Sequence, residues 1–133
     1  MGYRALVSKP KRSEGGELDR RSCCPVSCTL DLLGDRWTLL VVRDLFRGCS
    51  RYSEFLASPE GIATNILADR LGLLSRHGLV EKRVPEGKRR ATYRLTDKGR
   101  TLEPVLGAVA VWGLRELEGT EARLAPSETE IDP

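Results

Sequence analysis

The pattern of apolar and polar residues divides the chain into five helical segments and two strand-like runs. In the helical segments, apolar residues recur at spacings of three and four, which places them on one face of each helix. In the strand-like runs, apolar and polar residues alternate imperfectly. The predicted helices cover residues 25–33, 36–46, 52–57, 63–77 and 96–117, and the predicted strands cover 79–84 and 91–95. The sequence therefore predicts a mainly α-helical domain with one small β-hairpin.

Residues typical of helix ends support these limits. Pro25 suits the first position of a helix, so Cys24 is expected to lie at its cap. Pro104 lies inside the last predicted helix and should bend it. The residues predicted to cap the later helices are Asp35, Ser50 and Thr96, and the glycines predicted to end helices are Gly34, Gly48 and Gly78.

The middle of the chain has the order helix, turn, helix and hairpin. The turn is Ser58-Pro59-Glu60-Gly61, and the longer helix after it has an inward face of Leu67, Leu71 and Leu74. This order is typical of a winged helix-turn-helix, in which the second helix enters the major groove of DNA. The polar or small residues on the outer face of that helix, near its N-terminus, are Thr64, Asn65, Ala68 and Asp69.

Positive charge is concentrated in the hairpin. Residues 79–95 carry six basic and two acidic side chains, a net charge of +4 in a chain whose total is +3. A basic hairpin tip and the start of the short helix are where phosphate contacts are expected. The predicted DNA contacts outside the longer helix are Arg51, Tyr52, Ser53, Lys88, Arg89 and Arg90.

Composition and length indicate a single domain flanked by tails. The chain has 133 residues, of which 40% are hydrophobic and 31% are charged. We expect a disordered basic tail over 1–22, a folded domain over 23–118 and an acidic tail over 119–133. No apolar run approaches the ~20 residues that span a bilayer, and the N-terminus lacks the apolar segment of a signal peptide. A cytoplasmic protein without membrane contact is therefore expected.

The four cysteines do not have the spacing of a structural metal site. Cys23, Cys24 and Cys28 lie within six residues, Cys49 is separate, and the only histidine is His77 at a helix end. The sequence also contains no constellation of nucleophile and base, so we expect no metal, no cofactor and no enzymatic activity. A helix N-terminus attracts negative charge, which makes Cys24 a candidate thiol sensor. The alternative is that Cys24 is only a small capping residue.

The last predicted helix is more apolar than one contact face requires. Its apolar residues include Leu106, Val109 and Trp112. Surplus apolar surface on a terminal helix indicates a partner. For a DNA-binding protein the simplest partner is a second copy, because two-fold symmetry matches two half-sites.

Over residues 23 to 114 the sequence resembles the HxlR-type winged-helix transcription regulators. The resemblance depends on many short motifs that occur in the same order. They are Cys24-Pro25-Val26, Leu33-Gly34-Asp35-Arg36-Trp37-Thr38-Leu39-Leu40, Arg51-Tyr52-Ser53-Glu54-Phe55, Gly61-Ile62, Leu67, Arg70-Leu71, Gly78-Leu79-Val80-Glu81, Tyr93-Arg94-Leu95-Thr96-Asp97-Lys98-Gly99, Pro104-Val105-Leu106 and Trp112-Gly113.

The resemblance implies a homodimer formed by the first and last helices, which adds Val26 and Leu30 to the expected interface. It also implies recognition helices in successive major grooves, and a thiol at the position of Cys24 that in some family members senses oxidants or electrophiles. Two residues differ from the family pattern. Ala63 stands where a serine usually begins the recognition helix, and Cys49 replaces a more usual loop residue.

Together these observations predict a sequence-specific DNA-binding regulator. It is expected to act as a homodimeric repressor on a pseudo-palindromic operator, under the control of thiol modification or a small-molecule effector. The alternative is a winged-helix module that binds another protein and does not touch DNA.

Overall fold

The structure is a computed structural model and describes residues 20–121. In this part of the chain, six helices and one antiparallel hairpin follow one another. They are α1 (Pro25–Leu33), α2 (Thr38–Phe46), α3 (Tyr52–Leu56), α4 (Thr64–Arg76), β1 (Val80–Arg83), β2 (Thr92–Leu95), α5 (Asp97–Arg100) and α6 (Glu103–Glu116). The predicted class, mainly α with a hairpin wing, is confirmed. Most of the two predicted tails, residues 1–19 and 122–133, lies outside the described residues.

The core forms where α2 and α4 meet α3 and the base of the hairpin. The predicted inward face of α4 is confirmed, since Leu67, Leu71 and Leu74 are at most 1% exposed. Val42 of α2 and Phe55 of α3 are completely buried beside them. The core therefore fixes α4 between the first helices and the wing.

The hairpin departs from simple alternation at its first residues. Alternation along the predicted strand 79–84 would place Leu79 and Val80 on opposite sides, yet both are buried. Leu79 precedes β1 and still belongs to the turn that leaves α4. Gly78 makes this turn with a φ of +72°, the left-handed conformation predicted for a helix-ending glycine. Beyond Val80 the strand leaves the core, so its remaining residues lose contact with it.

The start of α2 differs from the prediction. The helix begins at Thr38, two residues later than predicted, and Trp37 is the cap residue by backbone position. Asp35 nevertheless satisfies the helix end, because its carboxylate accepts hydrogen bonds from the backbone N–H of Trp37 at 2.9 Å and of Thr38 at 3.1 Å. The capping chemistry was predicted correctly, and the helix boundary was wrong.

The predicted cap of α3 was also wrong. Arg51, not Ser50, is the cap residue. The free N–H groups of Ser50 and Arg51 donate to the Glu54 carboxylate at 2.7 and 2.9 Å. These two hydrogen bonds hold the pKa of Glu54 below its usual value. The Glu54 carboxylate in the first turn therefore binds the backbone just before the helix, which is the reciprocal half of a capping box.

The predicted last helix is divided into two. The Thr96 hydroxyl accepts a hydrogen bond from Gly99 N–H at 3.0 Å, which confirms Thr96 as a cap. However, α5 ends at Arg100, and α6 begins at Glu103 with Pro104 in its first turn. Pro104 therefore starts a helix instead of bending one, because first-turn N–H groups have no helical partner to lose.

The first and last helices of the described chain have little cover. No residue of α6 is buried, and Leu33 is the only buried residue of α1. None of the helices in residues 20–121 has the length and apolar character needed to span a bilayer.

Candidate nucleic-acid interface

The predicted reading face of α4 is exposed to solvent. It lies opposite the buried leucines of this helix, so the same residues that pack the core also turn this face outward. Ala63 is the cap residue and has no side chain that can accept the first N–H groups. These groups and the dipole of the thirteen-residue helix favour an anion at its N-terminus. The exposed residues of the face are Thr64, Asn65, Ala68 and Asp69.

Arg70 connects the outer face of α4 to the loop before α2. Its guanidinium donates a hydrogen bond to Asp69 at 2.6 Å, and its Nε lies 2.8 Å from the Asp35 carboxylate. Burial alone would raise the pKa of Asp35. Hydrogen bonds from Thr38 and Trp37, together with the charge of Arg70, more than offset burial and lower that pKa. Asp69 is therefore partly neutralised by a neighbour, whereas the sequence presented it as an open polar contact.

The start of α3 is fixed against the wing. The carbonyl of Ser50 accepts a hydrogen bond from the Tyr93 N–H of β2 at 2.8 Å. The rings of Tyr52 and Tyr93 meet with centroids 5.9 Å apart, and burial raises the pKa of the Tyr52 hydroxyl. The structure thus gives Tyr52 a packing role that the sequence interpretation missed.

Two surface grooves meet at Arg51 and Arg90. One groove, of about 360 Å³, runs from Arg51 along the wing tip past Lys88 and Arg89. The other, of about 400 Å³, continues from the same two arginines over Ser53. The structure therefore brings the predicted contacts of α3 and of the wing together on one basic surface. The reading face of α4 lines neither groove.

The charges of the wing fall into two groups. At its base, Arg94 binds Glu81 at 2.7 Å across the strands, and Arg83 lies 3.7 Å from the same carboxylate. The hydrogen bond from Arg94 is the main reason why the pKa of Glu81 is lowered. At the tip, the side chains of residues 88–90 form no ion pair within the described part of the chain. The unpaired charge is therefore concentrated at the tip.

A partly buried charge cluster joins α2 to the turn before α4: Arg43 and Asp44 are buried, and the Glu60 side chain is 34% exposed. Arg43 donates to both carboxylate oxygens of Glu60 at 2.7 Å and to Asp44 at 3.0 and 3.1 Å. The Ser58 hydroxyl donates to the other oxygen of Asp44 at 2.5 Å. The hydrogen bond from Arg43 lowers the pKa of Glu60. Sequence reasoning missed this cluster, although two adjacent charges inside an apolar helix were a visible signal.

The first turn of α1 contains the exposed cysteine. Cys24 is the cap residue of α1, and its N–H donates to the Ser22 hydroxyl at 3.2 Å. The thiol of Cys28 donates to the Ser22 carbonyl, also at 3.2 Å. Arg21, which precedes this turn, is bound to Asp31 at 2.6 Å. Burial raises the pKa of the Cys49 thiol, with further contributions from Asp44 and Glu54. Cys24 is exposed, whereas Cys23, Cys28 and Cys49 are half-buried.

The described residues 20–121 contain no group of three or more histidine, cysteine or acidic side chains arranged to hold a metal ion.

The residues predicted for a dimer interface lie on two exposed helices. Val26 and Leu30 of α1 are each more than half exposed, and so are Val109 and Trp112 of α6. Leu106 is half-buried. The apolar surface of α6 also extends beyond the predicted set, to Val105, Val111, Leu114 and Leu117.

The fold and this surface define a winged helix-turn-helix protein. The sequence profile of the HxlR-like helix-turn-helix family matches residues 32–121, and the chain belongs to that family. The matched segment begins inside α1, after Cys24.

Relatives and solved structures agree with this assignment. The uncharacterised HTH-type transcriptional regulator sll1512 of Synechocystis is 40% identical over 96 residues, which is 71% of each chain. The crystal structure of PA1607, a putative transcription factor, is 42% identical and superposes with a TM-score of 0.71, over 79% of this chain and 75% of that one. The redox regulator HypR in its oxidised form is 31% identical, with a TM-score of 0.64 over 71% of this chain and 99% of that one. The chain is a transcriptional regulator with a helix-turn-helix fold.

Proposed function

We propose that the protein is a homodimeric repressor that binds a pseudo-palindromic operator in double-stranded DNA. One observation carries the proposal. Arg51 at the start of α3 and the unpaired basic residues of the wing tip line one continuous surface. In this proposal residues 23–118 form the DNA-binding domain, act in the cytoplasm and have neither catalytic activity nor a cofactor.

The protein binds DNA through two kinds of contact, one to bases and one to phosphates. The exposed N-terminal part of α4 reads bases in the major groove, where Asn65 can form two hydrogen bonds to an adenine. Arg51 and the basic wing tip, Lys88 to Arg90, bind phosphates, which position the protein without reading sequence. Ser53 and the Tyr52 hydroxyl add hydrogen bonds at the edge of this surface.

The phosphate role of the wing tip is tested by its salt dependence. Replacing Arg89 and Arg90 by alanine should weaken binding to all duplexes, and it should reduce the slope of log K against log salt concentration by up to ~2. Replacing Arg83 and Arg94 by alanine is the matched control. It removes the same charge, but from arginines that Glu81 already binds, so its slope should change less. Equal slopes for both double variants would refute the assignment of the tip.

The reading role of α4 is tested by base preference. Asn65→Ala should change the sequences that the protein selects from a randomised duplex pool and leave the salt slope as in the wild type. An unchanged selection would exclude Asn65 as a base contact.

The dimer follows from the uncovered apolar faces of α1 and α6. A second copy would bury these faces by two-fold symmetry and present two α4 helices to successive major grooves. Sedimentation of the purified chain should give a dimer. A monomer that still binds DNA in a salt-dependent way would refute this part of the proposal alone.

Control of the repressor is assigned to the thiol of Cys24. HypR is described as a redox regulator, and Cys24 is the accessible thiol at the start of α1. An electrophile such as a quinone would form one S–C bond to Cys24 as the thiol proton passes to the reduced ring. A bulky adduct next to Val26 and Leu30 would disturb the dimer and weaken DNA binding. Quinone should lower the DNA affinity of the wild type and of Cys49→Ser, but not that of Cys24→Ser.

A second candidate function is a protein-interaction module. The observation that favours it is the wide apolar surface of α6, which exceeds the predicted interface set. A gel shift on the DNA upstream of the gene separates the two functions. Salt-sensitive retardation supports the repressor, and its absence in the folded chain supports the module.

A further inference from the structure

We propose that Arg43 and Glu60 are positioning residues, which hold α4 in the orientation that base readout requires and so determine the discrimination between DNA sequences. The inference rests on the proposed DNA binding and goes beyond it, because neither residue lies on the basic surface or on the reading face.

The charge cluster connects the turn before α4 to helix α2. Arg43 is 8% exposed and lies on α2, the helix that packs at the centre of the core. Its guanidinium binds both oxygens of Glu60 at 2.7 Å. Glu60 is in the turn, four residues before Thr64, where α4 begins.

The geometry fixes direction as well as distance. A guanidinium that forms two parallel hydrogen bonds to one carboxylate allows little rotation of either group. The guanidinium is itself held by two hydrogen bonds to Asp44, whose second oxygen accepts the Ser58 hydroxyl. Two residues of the turn are thus tied to two adjacent residues of α2.

A second link holds the middle of the same helix. The Nε atom of Arg70 in α4 lies 2.8 Å from Asp35, and Asp35 also binds the first N–H groups of α2. The recognition helix is therefore joined to the α2 region by charged groups at two points. Beside these links, Leu67 and Leu71 supply apolar packing, which is less directional.

This arrangement affects specific binding more than non-specific binding. Hydrogen bonds to base edges need donor and acceptor within a few tenths of an ångström. Phosphate binding is electrostatic and changes little when a helix shifts slightly. The Arg43–Glu60 pair is only partly buried, and such ion pairs contribute little net stability, whereas their geometry can select one arrangement of the chain. Loss of the Arg43–Glu60 contact should thus lower the ratio of specific to non-specific affinity.

The test compares two substitutions of the same kind. Glu60→Gln and Glu81→Gln each replace a carboxylate that binds an arginine at 2.7 Å, and each removes one negative charge. Both should therefore raise the affinity for every duplex through charge, and this effect cancels in the ratio between two duplexes. The probes are a duplex that the wild type enriches from a randomised pool and a shuffled duplex of the same base composition.

We expect the affinity ratio between the two duplexes to fall about tenfold in Glu60→Gln, the discrimination of roughly one base-pair contact. In Glu81→Gln the ratio should stay as in the wild type. Circular dichroism ensures that both variants are compared as folded proteins. If Glu60→Gln does not fold, Ser58→Ala serves in its place, with an expected fall of smaller size.

Two results separate the failure of this inference from the failure of the proposed function. An unchanged ratio in folded Glu60→Gln, or in folded Ser58→Ala when it is the variant used, would overturn the positioning role and leave DNA binding intact. A wild type that enriches no sequence and shows no salt-dependent affinity would refute DNA binding, and the positioning role with it. An equal fall in Glu81→Gln would also overturn the inference, because charge alone would then explain the effect.

Discussion

Helices α2 and α6 are both rich in apolar residues, yet they have opposite environments. Six of the nine residues of α2 are buried, including Arg43 and Asp44. In α6, none of the fourteen residues is buried. The chain covers α2 with α4, α3 and the hairpin, whereas the described residues 20–121 leave α6 without such cover.

This difference shows that an apolar helix can be covered either by its own chain or by a partner. Apolar residues show that a helix gains free energy from being covered, but they do not show what covers it. The buried charges of α2 are themselves a consequence of cover from the same chain, since Glu60 and Ser58 reach Arg43 and Asp44 from the next turn. An exposed apolar surface such as that of α6 is what a second copy could cover.

The largest expected effect comes from a charge placed on each helix. Val42 of α2 is completely buried, and Val42→Asp would bury an unpaired carboxylate at a cost of more than ~5 kcal/mol, comparable with the whole stability of a small domain. We expect this variant to lose its cooperative thermal transition by circular dichroism. Val109→Asp on the 54% exposed position of α6 should keep the transition and lose the dimer in sedimentation. Similar unfolding of both variants would show that α6 has cover within the monomer.

The next effect concerns the arginines of the two helices. Arg43→Ala leaves Asp44 buried without its guanidinium, and should lower the free energy of unfolding by ~3–5 kcal/mol. Arg115→Ala on the exposed face of α6 should change it by less than ~0.5 kcal/mol. Urea denaturation measures both values. A loss below about 1 kcal/mol for Arg43→Ala would mean that water replaces the guanidinium.

A smaller effect is expected at two glycines. A Cβ atom at Gly99 of α5 would lie 2.1 Å from the Leu79 carbonyl oxygen, so Gly99→Ala should cost ~1–3 kcal/mol. A Cβ atom at Gly107 of α6 would have no neighbour within 4 Å in the described structure. Gly107→Ala should therefore stabilise the helix by ~0.5–1 kcal/mol. Urea denaturation should show opposite signs, and a loss at Gly107 would reveal a close partner of α6.

The smallest effect is the pH dependence of the cluster that α2 carries. The pKa of Glu60 is lowered in the folded protein, so its contribution to stability is full above the unfolded pKa of 4.5. The contribution is lost as the pH falls through the folded pKa, because the unfolded chain then binds more protons. As the pH is lowered below about 4.5, the urea concentration at the midpoint of unfolding should decrease in the wild type, and it should decrease less in Glu60→Gln. If the urea midpoint depended on pH in the same way in both proteins, carboxylates other than Glu60 would control acid unfolding.

The sequence by itself determined the order of helices and hairpin, the inward face of α4 and the charged wing. These features follow from periodicity and turn residues, which act over a few neighbours. Gly78 and Thr96 ended and began helices as predicted for this reason. The errors at Ser50 and Pro104 were also local. Neighbouring residues could supply the cap predicted for Ser50, and a proline is compatible with a bend inside a helix and with the first turn of a new one.

Only the tertiary structure decided which charges are paired and which surfaces are joined. Arg94 is bound by Glu81 and Arg90 is not, although both contributed equally to the charge count. Arg51 meets the wing tip across about 40 positions of sequence, and Arg43 meets Glu60 from seventeen residues away. Such contacts depend on how packed helices place distant side chains. Local residue patterns do not show which side chains far apart in the sequence come into contact.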